Sequence, residues 1–420
     1  MEKAAGDFLE AKKAMVAGSV RRRKETIGDI DILVISDRPE KIMERFLKLP
    51  QIAHIYATGK TKTMVRLKNG LDADLRVVPQ KSFGAALNYF TVSKDHNVAL
   101  RELALKRGWK LSEYGLFKGA KMIAGKTEEE VYKKLGLRYI EPELREMKGE
   151  IEAAQCRSNL SLNREKARIG TGLPALIGYD DLKGDLQIQT DWTDGENSIE
   201  EYAEAAEKLG LEYIAITDHT KALAMTGGSD EKKLLRQMKE IDKINYKLQA
   251  TNYKLKVLKG AEVNIMKDGS LDIKDEALKK LDVVGAAVHS HFNLPRAEQT
   301  KRVIRAMENP NVDIIFHLTA RKINQRDPID IDMDEIIKTA KRTGTVLEID
   351  AYPDRLDIKD EYIRKCVEAG VKMSIDSDAH NIGHMRFLEH GIAQARRGWA
   401  KRGDIINAHP LERMLKMLKK

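Results

Sequence analysis

The sequence predicts an α/β multidomain chain that closes with a barrel-like α/β domain, and three observations point there. From residue 184 onward, short apolar runs alternate with amphipathic helical segments six or seven times. Residues of metal-ligand type fall at the ends of those runs, where barrels of this kind place their chemistry. Charge and histidine also divide the chain unequally: residues 1–150 hold 30 Lys+Arg against 21 Asp+Glu, and residues 151–420 hold 44 of each. Only His54 and His96 precede position 150, whereas eight histidines follow it. A length of 420 residues accommodates two or three domains.

In order along the chain, residues 2–16 read as an amphipathic helix that Gly18-Ser19 ends. DIDILVI (29–35) reads as a strand, followed by a helix over about 39–48 with Pro39 in its first turn. Strands are expected near 52–57, 62–68 and 72–78, with Asn69-Gly70 turning the hairpin between the last two. From 83 to 150 the pattern is mostly helical with short turns, and 151–183 is a helix that loses its pattern at the linker-like GTGLPALIGYDD. Beyond it, QIQT, YIAITD, VLKGAEVNI, VVGAAVHS, DIIFHL, VLEID and KMSIDSDAH read as strands, with helices at 199–209, 230–249, 296–308, 332–343 and 358–369. Asp218-His219, Glu262, His289, His317, Asp378 and His380 sit at their ends.

Composition limits the function classes. The basic first third suits a polyanionic partner, and the neutral remainder, rich in His and Asp, suits metal chemistry. Two cysteines, Cys156 and Cys366, supply neither a disulfide framework nor a thiolate zinc site. With no apolar leader and no run near the ~18 residues of a membrane span, a soluble, cytoplasmic protein with no membrane association is expected. Within the first third, Asp29-Ile30-Asp31 and Asp72-Ala73-Asp74 each put two carboxylates on one face of a strand. Two such strands side by side are what holding two hard divalent cations for in-line phosphoryl transfer requires. Upstream, Gly18-Ser19-Val20-Arg21-Arg22 offers a tight turn, a hydroxyl and two guanidiniums for a triphosphate.

GSVRRRKETIGDIDILV resembles the palm signature of family X DNA polymerases, within the nucleotidyltransferase superfamily. The likeness continues through DADLRVV, NYFTVSKDHNVALRELALKRGWKLSEYGLF and YIEPELREMKGEIEAA, covering residues 15–155. GDLQIQTDWTDG, ITDHT, KGAEVNI, AAVHSHF and IDSDAH resemble, in order, the motifs of the polymerase-and-histidinol-phosphatase (PHP) domain, and this match runs from 184 to the C-terminus. The resemblance implies a nucleotidyltransferase palm with a mixed sheet and helices (1–80, including the last helix before the Gly-Ser motif), a small thumb (81–150), a helix and linker (151–183), and a PHP distorted (β/α)7 barrel (184–420). It implies that Asp29, Asp31 and Asp74 are the catalytic, Mg²⁺- or Mn²⁺-binding triad, with Asp74 helping to deprotonate the primer 3′-OH. Gly18, Ser19 and Arg22 would bind the triphosphate, Tyr89 and Phe90 would flank the sugar, and Asn97 would sit at the minor-groove edge of the nascent pair. Asp194, His219, Glu262, His289, His317, Asp378 and His380 would ligate metal in the PHP domain.

Three departures stand out. Val92 occupies a turn where the family usually has Gly, and a β-branched residue resists positive φ. Family members carry lyase-like and DNA-gripping domains before the Gly-Ser motif, but 17 residues precede Gly18 here, so DNA affinity is expected to be low and strongly salt-dependent. Finally, the usual His-x-His of the first PHP motif reads Gln187-Ile188-Gln189. Amide oxygens replace imidazole poorly at Zn²⁺ or Mn²⁺, so an impaired hydrolase with reduced metal occupancy is expected. His54, His96, His291, His384, His390 and His409 have no matched ligand role.

The leading expectation is template-directed dNMP transfer from a dNTP to a primer 3′-OH on gapped or primer–template DNA in short-gap repair. The alternative is a PHP phosphoesterase or 3′–5′ exonuclease with a non-catalytic palm. A third reading is a non-enzymatic DNA-binding remnant.

Overall fold

The computed structural model describes residues 1–155, 172–250 and 254–418, which form two compact units, Met1–Leu173 and Pro174–Lys420. Residues 156–171 of the expected 151–183 helix and linker, Cys156 among them, lie outside the described residues, as do 251–253, Lys419 and Lys420.

The first unit is built on a five-stranded mixed sheet of β1 (Lys13–Val16), β2 (Asp29–Ile35), β3 (Ile52–Thr58), β4 (Lys62–Leu67) and β5 (Asp72–Val78), in the order β1-β2-β5-β4-β3. The period-2 alternation of β2 serves two cores. Ile32 and Val34 pack with Ile42, Met43 and Phe46 of the helix Pro39–Leu47, while Leu33 and Ile35 pack with Phe83, Ala86 and Leu87 of the helix Phe83–Thr91. Asp29 and Asp31 share the second face, which is how one strand both anchors the core and presents carboxylates beyond its edge.

The expected helix over 2–16 is instead a short helix, Glu2–Gly6, followed by β1. Lys13–Val16 pairs antiparallel with Ile32–Ile35, and the ladder outweighs the helical periodicity of the segment. The 83–150 region is also less helical than expected. β6 (Lys110–Ser112), β7 (Gly115–Lys118) and β8 (Lys121–Ala124) form a small antiparallel sheet, turned between β7 and β8 at Gly119, whose φ of +58° suits glycine.

A buried ion cluster ties this region to Arg21, in the segment that follows β1. Glu128 accepts from Arg145 Nη1 at 2.5 Å, from Arg21 Nη2 at 2.6 Å and from the Tyr139 hydroxyl at 3.2 Å. Burial pushes the Glu128 carboxyl up, but Arg145 and Arg21 outweigh it and hold it at about 2. Stability from this group is therefore complete above the ordinary carboxylate range and is lost as pH falls from about 4.5 toward 2. Glu128→Gln leaves Arg145 buried without its counter-charge and is expected to cost ~3–5 kcal/mol at pH 7. Urea denaturation at pH 7 and pH 3 checks this, with the difference between wild type and variant shrinking at the lower pH.

The second unit is a seven-stranded, all-parallel sheet, consistent with a (β/α)7 barrel. Its strands are β9 (Gly184–Ile188), β10 (Tyr213–Ile216), β11 (Lys256–Asn264), β12 (Val283–Ala287), β13 (Ile314–Ile315), β14 (Val346–Asp350) and β15 (Met373–Asp376), in sequential order. Tyr213, Leu258, Val283, Ile314, Phe316 and Val346 meet in one interior cluster capped by Met414, while the outer faces pack on the intervening helices. The first and last strands close through a seam. Ile188 bridges Ala379, and the Asn407 amide donates to Gly184 O (2.9 Å) and Ile375 O (2.7 Å) while accepting from Ile375 N (3.1 Å). A register shift in β9 opposite Ile214–Ile216 acts as a bulge and re-aims Gln187 and Gln189 toward Glu262.

Candidate active sites

Asp29, Asp31 and Asp74 converge because β2 and β5 pair in parallel with Asp29 opposite Asp72 and Asp31 opposite Asp74. Paired residues share a face, so all four carboxylates point the way of Leu33 and Ile35, and Asp72 is held there by Arg66, whose Nε lies 2.6 Å from its Oδ1. Burial, then the charges of Asp29 and Asp74, push the Asp31 carboxyl up to about 6 against the pull of Arg76 and Lys62. Lys62 Nζ lies 3.3 Å from Asp74 Oδ2. An all-oxygen donor set under its own repulsion fits a hard divalent cation. In metal-free protein, ionising Asp31 opposes folding, so its stabilising influence is lost as pH rises through about 6. Asp31→Asn is expected to raise the melting temperature at pH 8, by less at pH 5, and to leave it little changed below the ordinary carboxylate value of 3.8, as calorimetry in chelator would read.

Gly18 lies against this cluster. Its φ is +61°, and a Cβ there would stand 2.4 Å from Asp31 Oδ2. Ser19 is half-buried beside it. Both guanidiniums of the Gly-Ser segment are engaged by residues beyond the sheet: Arg21 binds Glu128 and the Thr91 hydroxyl (2.8 Å), and Arg22 binds Glu146 and the Thr91 carbonyl (2.8 and 2.6 Å). Tyr89 and Phe90 sit edge-to-face with centroids 5.1 Å apart, the Arg76 guanidinium lies 4.2 Å from the Phe90 ring centre, and the Asn97 amide donates to Tyr89 O at 3.3 Å. Val92 has φ −72° and ψ 157°, so this turn is extended and the β-branched residue carries no strain. The positive φ expected there is not adopted.

In the barrel, the ligand-type residues gather around the fully buried Glu262. Its Oε1 accepts from His317 Nε2 (2.8 Å) and lies 3.0 Å from His289 Nε2, and its Oε2 lies 3.5 Å from His219 Nδ1. Burial pushes Glu262 up, but the charges of His219 and His317 and the bond from His289 hold it well below the usual carboxylate range. Asp194, His219 and His380 form one group able to hold a cation, and His219, Glu262 and His289 a second, with ligand atoms within 4.8 Å of one another in each. The rings are oriented for this: His289 Nδ1 bonds Asn264 Oδ1 (2.8 Å) and His380 Nδ1 bonds Asp378 O (2.8 Å), turning each Nε2 toward the ligand cluster. His219 Nδ1 and His317 Nδ1 are buried without hydrogen-bond partners, and of the two His219 belongs to both groups able to hold a cation.

The Gln pair does not fit it. Gln187 Nε2 and Gln189 Nε2 both donate to Glu262 Oε2, at 3.1 and 2.7 Å, while their own Oε1 atoms are buried and unpartnered. Turning either amide over would set oxygen against carboxylate oxygen, so donors occupy the side of Glu262 where a cation would have to sit.

Asp378 enters neither group; its Oδ2 is 3.4 Å from Arg355 Nε, which also lies 3.5 Å from Asp350 Oδ2. Asp218 is saturated by Thr190, Thr193 and Gln237 and holds the loop after β9 rather than facing the ligand cluster. Sequence motifs do not mark Arg355 and Asp350; LEIDAYPDRLD contains both, and the charge of Arg355 beside a ligand-type strand end is the signal available there.

Known proteins resemble both units of the chain. The profile described as DNA polymerase beta thumb matches residues 86–146, and the PHP domain profile matches residues 185–401. A DNA polymerase/3′-5′ exonuclease PolX of Bacillus subtilis is 37% identical over 424 aligned residues, covering 100% of this chain and 71% of the relative. A probable phosphatase of Acetivibrio thermocellus is 31% identical over 192 residues, covering 44% of this chain and 73% of its own. Leishmania infantum polymerase beta, solved as a ternary P/T complex, aligns with 34% of this chain and 72% of its own at 24% identity and a TM-score of 0.32. Polymerases and PHP phosphoesterases of these kinds depend on metals, and no helix among the described residues is long and apolar enough to cross a membrane. By its full-length similarity and its two domain matches, the chain belongs to the PolX-type family X DNA polymerases, which join a polymerase beta thumb to a PHP domain.

Proposed function

We propose that this chain extends primers on gapped or primer–template DNA in the cytoplasm, transferring dNMP from dNTPs. The palm (1–80) holds the chemistry, the thumb (81–150) the nascent pair, and the segment 151–183 leads to the barrel (184–420). The observation that carries this is the register placing Asp31 beside Asp74 on adjoining parallel strands, with Asp29 on the same face. Asp29, Asp31 and Asp74 would hold Mg²⁺ or Mn²⁺, which neutralises the triphosphate and lowers the pKa of the attacking hydroxyl. Asp74 takes part in drawing off the 3′-OH proton. The Gly18-Ser19 turn and Arg22 receive the triphosphate, for which Arg22 exchanges its bond to Glu146. Tyr89 and Phe90 bound the sugar, and Asn97 faces the base pair.

A second activity is supported at the barrel. Asp194, His219, Glu262, His289, His317, Asp378 and His380 would serve Zn²⁺ or Mn²⁺, and the amides of Gln187 and Gln189 on Glu262 favour fewer ions and a weakened phosphoesterase or 3′–5′ exonuclease.

A 5′-labelled primer on a one-nucleotide-gapped template, with and without dNTPs, in Mg²⁺ and in Mn²⁺, tests both. Extension that depends on Asp29 is expected. Primer shortening that depends on His219, with no Asp29-dependent extension, would overturn this order and give the barrel the main activity.

A further inference from the structure

Beside the barrel's ligand cluster stands a group of rings that the chemistry above does not use. The turn Ile382–Phe387 follows directly on the His380 loop. Phe387 and His384 stack at 4.9 Å with planes 19° apart. Tyr352, from the loop after β14, meets both edge-to-face, at 5.2 Å from His384 and 5.1 Å from Phe387. All three rings are half-buried.

The middle ring is fixed in plane. His384 Nδ1 accepts the His380 N–H at 3.3 Å, and Nε2 lies 3.0 Å from the Asn381 amide nitrogen. The same backbone segment thus carries both the ligand His380 and the stacked ring. Ordinary packing would bury such rings under a loop; these remain partly open at the end of the molecule where the ligands lie. Backbone strain gathers there too, with positive φ at the non-glycine residues His317, Ala320, Leu356 and Asp378. Arg386 is exposed in the turn itself.

Aromatic faces next to a phosphate-handling centre, with a cation at hand, are the components by which single-stranded nucleic acid is held: bases stack and the backbone is neutralised. We propose that Tyr352, His384 and Phe387 form a nucleobase shelf that takes the 3′-terminal base of a single strand, setting its phosphate toward the Asp194–His219–His380 group. The inference rests on the reading that the barrel receives DNA ends. It adds the subsite that would distinguish a nucleotide from a bare phosphate ester.

The test is photocrosslinking of the full chain to a single-stranded oligodeoxynucleotide carrying 5-iodo-2′-deoxyuridine at its 3′ terminus, in Ca²⁺, with adducts mapped by mass spectrometry. Adducts on Tyr352, His384 or Phe387 are expected. Phe387→Leu and Tyr352→Leu, which keep apolar volume but remove the aromatic face, should each lower the barrel adduct about tenfold with an unchanged melting temperature. Adducts confined to residues 1–155 would overturn the shelf together with the reading of the barrel as a DNA-end site. Barrel adducts at other residues, or yields unmoved by both variants, would overturn the shelf alone.

Discussion

Asp29→Asn is expected to lower primer extension by about three orders of magnitude while leaving the fold intact. Asp29, Asp31 and Asp74 crowd one face, and burial together with the neighbouring charges already pushes Asp31 up to about 6. A divalent cation relieves that repulsion, and a neutral amide at position 29 removes one of the charges that hold it. Metal assistance supplies several kcal/mol to phosphoryl transfer, and ~1.4 kcal/mol is a decade in rate. Asp29 is exposed and makes no core contact, so the circular dichroism spectrum and melting profile should match wild type. Single-turnover extension on a gapped substrate is the measurement. Retained full activity would refute the palm as the catalytic centre.

The second large effect is expected at the barrel. Wild type should bind at most two tight metal ions there, and Gln187→His together with Gln189→His should add about one more and raise 3′-end hydrolysis at least tenfold. At present, two amide donors satisfy Glu262 Oε2 without charge, at 3.1 and 2.7 Å. Imidazoles at the same strand positions would reverse the chemistry, offering lone pairs where N–H groups now point. Elemental analysis of dialysed protein counts the ions independently of activity. Three tightly bound barrel ions in wild type would refute the impaired site.

The parts of this protein that could be read from sequence are those governed by short-range periodicity. DIDILVI and DADLRVV announce strands with two acidic positions per face, and their parallel register then follows from the structure. The barrel strands are equally legible, because each is a buried run followed by a polar end. What was not legible depends on partners distant in sequence. β1 forms against β2 although Lys13–Val16 lies in a helical pattern, and β6 to β8 are three or four residues each, too short for a period to declare itself. Arg21 reads as a phosphate ligand until Glu128, 107 residues away, is seen to claim it. The rings of Tyr352, His384 and Phe387 likewise come together only through the loops after neighbouring strands.

The seam between β9 and β15 bears on how the protein comes to be assembled. Asn407 and Gly184 are 223 residues apart, and Leu186 reaches Asp376 across 190. The two sides of that seam also lead to different parts of the ligand cluster, with Gln187 and Gln189 on Glu262 on one side and His380 on the other. During biosynthesis the first side must wait for most of the barrel to be made before its partner exists. Closure of so large a loop is slow, and until then two strand edges stand open to intermolecular pairing. The Asp194–His219–His380 group therefore cannot be complete in any half-made chain, whereas His219, Glu262 and His289 are all present once β12 has been made.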